Sequence, residues 1–181
     1  MIIKLDNLKC EDCPALGWID RQLPKISKWD IIREKIAKNI PSINLYLLGE
    51  SMPYSRFIYD KHTDYSRNGL RFNLREELVG NGSDDDLFDY LRQKGILFVD
   101  CALCPLHKLN SLTDKILAAT FCLQRNNLPY LHLNSDAPII TIFPYRRGYA
   151  QNSIPEVDKR VVARFQFIKL TGLKDVIENY L

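Results

Sequence analysis

Residues 43–49, "INLYLLG", form a short, almost continuously apolar run closed by a glycine. A strand with one face in water alternates apolar and polar side chains, whereas a run without polar breaks is the pattern of a strand covered on both faces. The pattern recurs at 96–100, "ILFVD". Upstream of the first run, Ser27 with Asp30 three residues on resembles an N-cap, and Trp29, Ile32, Ile36 and Ile40 recur at helical spacing, which predicts a helix ending near Pro41. Between the two runs, Ser83 with Asp86 caps a helix in "DDDLFDYLRQK" (84–94) that Gly95 stops. Downstream, "SLTDKILAATFCLQRN" (111–126) reads as a third helix with Ile116, Ala119, Thr120 and Leu123 on one face. "LPYLHL" (128–133) and "PIITIF" (138–143) are strand candidates, "RVVARFQFIKL" (160–170) fits strand or helix, and "LKDVIENYL" (173–181) fits a helix. This order of helices and doubly covered strands predicts an α/β fold, a three-layer sandwich with a central, mostly parallel four-stranded sheet flanked by helices. The first 26 residues read as an irregular extension packed on one domain spanning 1–181.

Composition sets the outer limits. With 46% hydrophobic and 26% charged residues, the chain is neither disordered nor fibrous in type. No apolar run reaches the length of a membrane span, and "MIIKLDNLKC" lacks the apolar core of a signal peptide, so a cytoplasmic, monomeric protein without membrane contact is expected. A net charge of +3 is small, but it is unevenly spread. Glu76 to Asp89 holds six carboxylates and no Lys or Arg, while Arg146 to Lys174 holds seven basic residues against Glu156 and Asp158. That asymmetry suits either a basic binding surface or a merely solvated face.

In sheets of this kind, functional groups collect on loops leaving the carboxyl ends of strands. Three loops qualify: "GESMPYSRFIYD" (49–60), "DCALCPLHKL" (100–109) and "FPYRRGYAQN" (143–152). Glu50 sits just past a buried strand, where partial desolvation raises a carboxylate's pKa and makes it a better base for water; the plainer alternative is a glutamate capping the next turn. Phe57 and Tyr59, with Tyr54 nearby, suit stacking on a nucleobase or ordinary packing on the core. Asp100 ends the second strand and can face Glu50 across neighbouring strand ends, with His107 a few residues on. Arg146 and Arg147 lie between aromatics after Pro144 and Tyr145, a grouping suited to backbone phosphates or to solvation.

Five cysteines, an odd number without an export signal, argue against a disulfide scaffold. Cys10 and Cys13 form C-x₂-C, and seventeen residues separate Cys104 from Cys122. These four thiolates suit an iron–sulfur cluster. Cys10, Cys13, Cys101 and Cys104 suit a zinc site instead, and reduced thiols packed as small apolar residues are the third alternative.

Taken in order, these segments resemble the uracil-DNA glycosylase superfamily, most closely its iron–sulfur-containing thermostable class. "CEDCPAL" resembles that class's N-terminal cysteine pair, and "LYLLGES-MP" its first motif, a strand ending in Gly-Glu-Ala-Pro-Gly. "SRFIYD" stands where an aromatic stacks on the extruded base. "ILFVDCALCP" resembles the strand that ends in Asn and soon reaches a cluster cysteine, and "TIFPYRRG" occupies the place of the His-Pro-Ser loop. The resemblance implies hydrolysis of the N-glycosidic bond of uracil or another deaminated or damaged base. Its implied parts are Glu50 and Asp100 as catalytic groups, and Phe57, Tyr59 and Asp100 around the base. Pro144, Tyr145, Arg146 and Arg147 would lie on DNA, and a 4Fe-4S cluster on Cys10, Cys13, Cys104 and Cys122. Three departures carry chemistry: Ser51, Met52 and Pro53 replace Ala-Pro-Gly, Asp100 replaces Asn, and Phe143-Pro144-Tyr145 replaces His-Pro-Ser. An ionised Asp100 offers acceptors but no donor, so it would reject uracil's O4 unless protonated. A catalytically silent nucleic-acid-binding protein on the same fold and a small-molecule nucleotide or nucleoside hydrolase are the alternative functions.

Overall fold

The computed structural model describes residues 13, 23–51, 58–60, 69–103, 106, 109, 111–143, 154–166 and 168–181. Among them the chain runs α1 (Leu23–Asn39), β1 (Leu45–Ser51), α2 (Leu70–Val79), α3 (Asp84–Gln93), β2 (Ile96–Ala102) and α4 (Leu112–Cys122). A π-helical segment, Leu123–Asn127, joins α4 to the short α5 (Leu128–Leu131), and β3 (Ile139–Phe143), α6 (Pro155–Asp158), β4 (Val161–Gln166) and α7 (Leu173–Tyr180) complete it. The four strands form one parallel sheet in the order β2-β1-β3-β4, with helices against it, as the doubly apolar runs require. Leu45, Tyr46, Leu47 and Leu48 of β1 are fully buried at the centre of the core. Burial of each leucine contributes about 1.5–3 kcal/mol.

Local signals explain the boundaries. Ser83 accepts from the backbone N–H of Asp86 while the Asp86 carboxylate accepts from the N–H of Ser83, a reciprocal box that starts α3. Gly95 ends the turn after α3 at φ 69°, and a Cβ there would strike the carbonyl oxygen of Ser42, so the turn into β2 requires glycine. Ser111 caps α4 by accepting from the N–H of Asp114 at 3.0 Å.

Two expectations are corrected. The first helix begins at Leu23, four residues before Ser27, because Pro24 falls in its first turn, where a missing N–H breaks no helical bond. The extension therefore ends sooner than residue 26. "LPYLHL" is not a strand: Leu128–Leu131 is helical, continuing from α4 through the π-helical segment. A six-residue apolar run carries no period that separates a buried strand from a buried helical turn. The Tyr46 hydroxyl fixes this region to the sheet, donating to the Tyr130 carbonyl at 2.9 Å and accepting from the Asn134 N–H at 3.0 Å.

Candidate functional site

The sheet order fixes where a site belongs. From β1 the chain crosses outward to β2, and from β3 it crosses in the opposite direction to β4, so the topological switch point lies between β1 and β3. A crevice opens outside the carboxyl ends of such a strand pair. Gly49 of β1 pairs with Ile142 of β3, so Glu50 and Phe143 close the two strands side by side. Two of the three loops singled out by sequence, 49–60 and 143–152, begin at these strand ends.

Glu50 is half-buried at the end of β1. Burial raises its carboxyl above the usual range, and the nearby Lys115 of α4 opposes the rise. Among the described residues, no hydrogen-bond donor reaches this carboxylate. Asp100 lies near the end of the neighbouring strand β2, which continues through Cys101 to Ala102, and is 4% exposed. Burial pushes its carboxyl up to about 7; the Arg33 guanidinium pulls it down and the charge of Glu50 pushes it up. The strand register aligns Gly49 with Asp100 and Ser51 with Ala102. Alternation along the pleat therefore puts Asp100 on the Gly49 side of the sheet and Glu50 on the Cys101 side. The two carboxylates meet as charges across the strand ends, not as a face-to-face dyad. Gly49 is the residue that makes room: a Cβ there would overlap Oδ1 of Asp100 and lie 2.7 Å from Cζ of Phe98.

Arg33 and Asn127 complete this end of the sheet. The buried Arg33 guanidinium donates to Oδ1 of Asn127 and lies 3.8 Å from the centroid of the Tyr130 ring. Asn127 in turn donates through Nδ2 to the Cys101 carbonyl at 2.9 Å. A cation thus enters the interior beside Asp100, held by an amide and a ring. Sequence reading missed it because attention fell on Trp29, Ile32, Ile36 and Ile40. Arg33, Ile36, Ala37 and Ile40 follow the i, i+3, i+4, i+7 pattern equally well and put a charge at the head of the stripe. Lys115 and Asn127 carried no comparable signal.

Tyr59 is buried. Its hydroxyl accepts the Phe98 backbone N–H at 2.7 Å, and its ring packs against Phe88 with centroids 5.9 Å apart. Burial pushes its phenol upward. Since β2 lies at the edge of the sheet, Tyr59 satisfies an edge N–H that no strand pairs. Stacking on a ligand would require the ring to leave the core. The preceding residues 52–57, including Phe57 and Tyr54, lie outside the described residues. The return of that loop is tied to α2 by Arg71, which donates to the carbonyls of Ile58 at 3.3 Å and Asp60 at 2.9 Å and pairs with Asp84 at 3.1 Å. Pro144, Tyr145, Arg146, Arg147 and His107 also lie outside the described residues.

Of the candidate cluster ligands, Cys13 and Cys122 are described; both are buried. They lie close enough for the charge of Cys13 to act on Cys122. Cys122 Sγ accepts the Leu103 N–H at 3.3 Å, Asn126 Nδ2 at 3.6 Å and Asn127 Nδ2 at 3.8 Å. Burial raises the Cys122 thiol, and the hydrogen bonds from Leu103 and Asn126 oppose that rise. Cys101 is buried one strand position from Asp100, and burial holds its thiol well above the usual range. Cys10 and Cys104 are outside the described residues, among which no group of three metal-capable side chains occurs. No helix among the described residues is long and apolar enough to cross a membrane. Comparison with family models, curated proteins and solved structures finds no match.

Proposed function

We propose that the protein is a DNA glycosylase-like hydrolase that extrudes a deaminated or damaged base and cleaves its N-glycosidic bond. The observation that carries this reading is the position of Glu50: a partly desolvated carboxylate at the end of β1, beside the switch point from which the segments carrying Phe57 and Arg146 depart. Extrusion costs a few kcal/mol of stacking and pairing, least at damaged or mismatched sites, so the DNA contributes to selectivity. Once the base is out, the C1′–N bond breaks with its electron pair leaving on the base. A water oxygen adds to C1′, and its proton passes to the Glu50 carboxylate.

Asp100 reads the base edge, and its raised carboxyl supports that role for an aspartate in the place of asparagine. With a carboxyl near 7, a large fraction is protonated at neutral pH and offers an O–H donor to a base carbonyl such as O4 of uracil. Buried acids kept neutral are suited to this donor role. Phe57 is the stacking ring, because Tyr59 is engaged in the core, and Pro144, Tyr145, Arg146 and Arg147 hold the strand through its phosphates. Cys10, Cys13, Cys104 and Cys122 hold a 4Fe-4S cluster, whose contribution is to fasten the N-terminal extension to the helix bearing Cys122. The protein acts as a cytoplasmic monomer.

The test is a base-release assay on duplexes carrying uracil, hypoxanthine, xanthine or a mismatch. Abasic sites are expected on at least one of these substrates. DNA binding without abasic sites would leave a silent nucleic-acid-binding protein, and turnover of free nucleosides with weak, salt-insensitive DNA binding would indicate a small-molecule hydrolase.

A further inference from the structure

Asp100 is buried, yet among the described residues no group hydrogen-bonds its carboxyl. Its oxygens are not among the sealed, unpaired polar atoms of the described core, so a ligand atom can reach them. Oδ1 lies over Gly49, where only the missing side chain of a glycine leaves room. The carboxyl therefore leans from β2 across β1, toward the switch point.

Beside it stands a charge that no ordinary change of pH removes. Arg33 of α1 is 1% exposed and acts on Asp100 as a fixed cation. Its guanidinium is held by Oδ1 of Asn127 and by the Tyr130 ring, and Asn127 also holds the carbonyl of Cys101, the residue next to Asp100. The π-helical segment delivers Asn127 to this place, and such segments recur at functional sites. The other titratable groups acting with Asp100 are Glu50 from β1, Tyr59 from the segment before α2, and Cys101 on β2; Lys115 of α4 acts on Glu50. Burial raises Tyr59 and Cys101, which stay neutral near pH 7, so Arg33 is the charge that favours an ionised Asp100.

We propose that Arg33 is a positioning residue that lets Asp100 work in both charge states, so that the site takes two classes of base, those presenting a carbonyl and those presenting an amino group. Without the cation, burial would hold the carboxyl neutral; with it, the carboxylate comes within reach. The neutral acid donates to a carbonyl such as O4 of uracil, and the carboxylate accepts from an amino group such as N4 of cytosine. The inference rests on the reading that Asp100 meets an extruded base and does not require that the base be cleaved.

Binding at pH 6 and pH 8 tests it, by fluorescence anisotropy on duplexes carrying uracil or cytosine opposite the same mismatched base. In the wild type, the preference for uracil over cytosine should fall about tenfold or more toward pH 8. Arg33→Met should keep its uracil preference at both pH values, and Arg33→Lys, which restores a cation, should recover the fall. Asp100→Asn, whose amide offers a donor and an acceptor at every pH, should show the same preference at both. Thermal melts establish that each variant is folded; if Arg33→Met is not, the wild type and Asp100→Asn decide. A wild-type preference that does not change with pH, or one that changes equally in Asp100→Asn or in folded Arg33→Met, overturns the proposal. Binding that follows the expected pattern without base release would contradict the hydrolase reading alone, whereas failure to bind either duplex would overturn both.

Discussion

Replacing Asp100 by Asn should stabilise the protein in mild alkali and change it far less in acid. The substitution keeps the size and shape of the side chain while removing its charge. Its carboxyl titrates near 7 in the folded protein against an ordinary value of 3.8. A group whose pKa rises on folding binds its proton more tightly in the native state, so its contribution is full below about pH 4 and is lost as pH rises through 7. Between pH 5 and pH 8 the native state gives up most of that advantage, on the order of a few kcal/mol. The variant lacks this loss. Urea unfolding of both proteins at pH 5 and pH 8 measures it: the stability difference, variant minus wild type, should grow by a few kcal/mol toward pH 8. A difference that stays constant, or grows toward pH 5, would refute the placement of Asp100 as a buried carboxyl held near neutrality.

Other outcomes follow from the same geometry. Gly49→Ala should destabilise by about 1–3 kcal/mol, because the added methyl would strike Asp100 and Phe98; thermal denaturation measures it, and an unchanged melting temperature would place Asp100 elsewhere. Protein purified without oxygen should be brown and contain iron, with Cys122→Ser losing most of the iron and Cys101→Ser keeping it. Colourless protein with stoichiometric zinc, or with no metal, would contradict the cluster. If hydrolysis occurs, its rate on a base presenting a carbonyl to Asp100 should fall as pH rises through about 7, while Asp100→Asn, which always offers an amide donor, should lose that fall. A pH–rate profile of the two proteins decides it.

The parts of the fold legible in sequence were those with strong local signals. "INLYLLG" and "ILFVD" announced strands buried on both faces, and Ser83 with Asp86 and Gly95 marked both ends of α3 through hydrogen-bonding and backbone constraints that act within a few residues. What sequence could not supply was set by distant partners. The strand order that puts Glu50 at the switch point arises from packing of the whole sheet. Tyr59 stayed open between stacking on a base and packing on the core because nothing nearby signals that its hydroxyl serves the backbone of Phe98, 39 residues away. Arg33 gave no sequence signal of its role because its partners, Asn127 and Tyr130, lie far along the chain. The π-helical segment that carries Asn126 and Asn127 toward Cys122 has no sequence signature of its own, and it turned "LPYLHL" from an expected strand into the end of a helix.

The central claim is that Glu50 activates water for cleavage of a glycosidic bond, and single-turnover base release by Glu50→Gln tests it most directly. On whichever duplex the wild-type protein cleaves, the variant should bind DNA and unfold as the wild type does. Its release of free base should be slower by about 10²–10⁴-fold. Release at the wild-type rate, or a loss of rate matched by a loss of folding, would contradict the account.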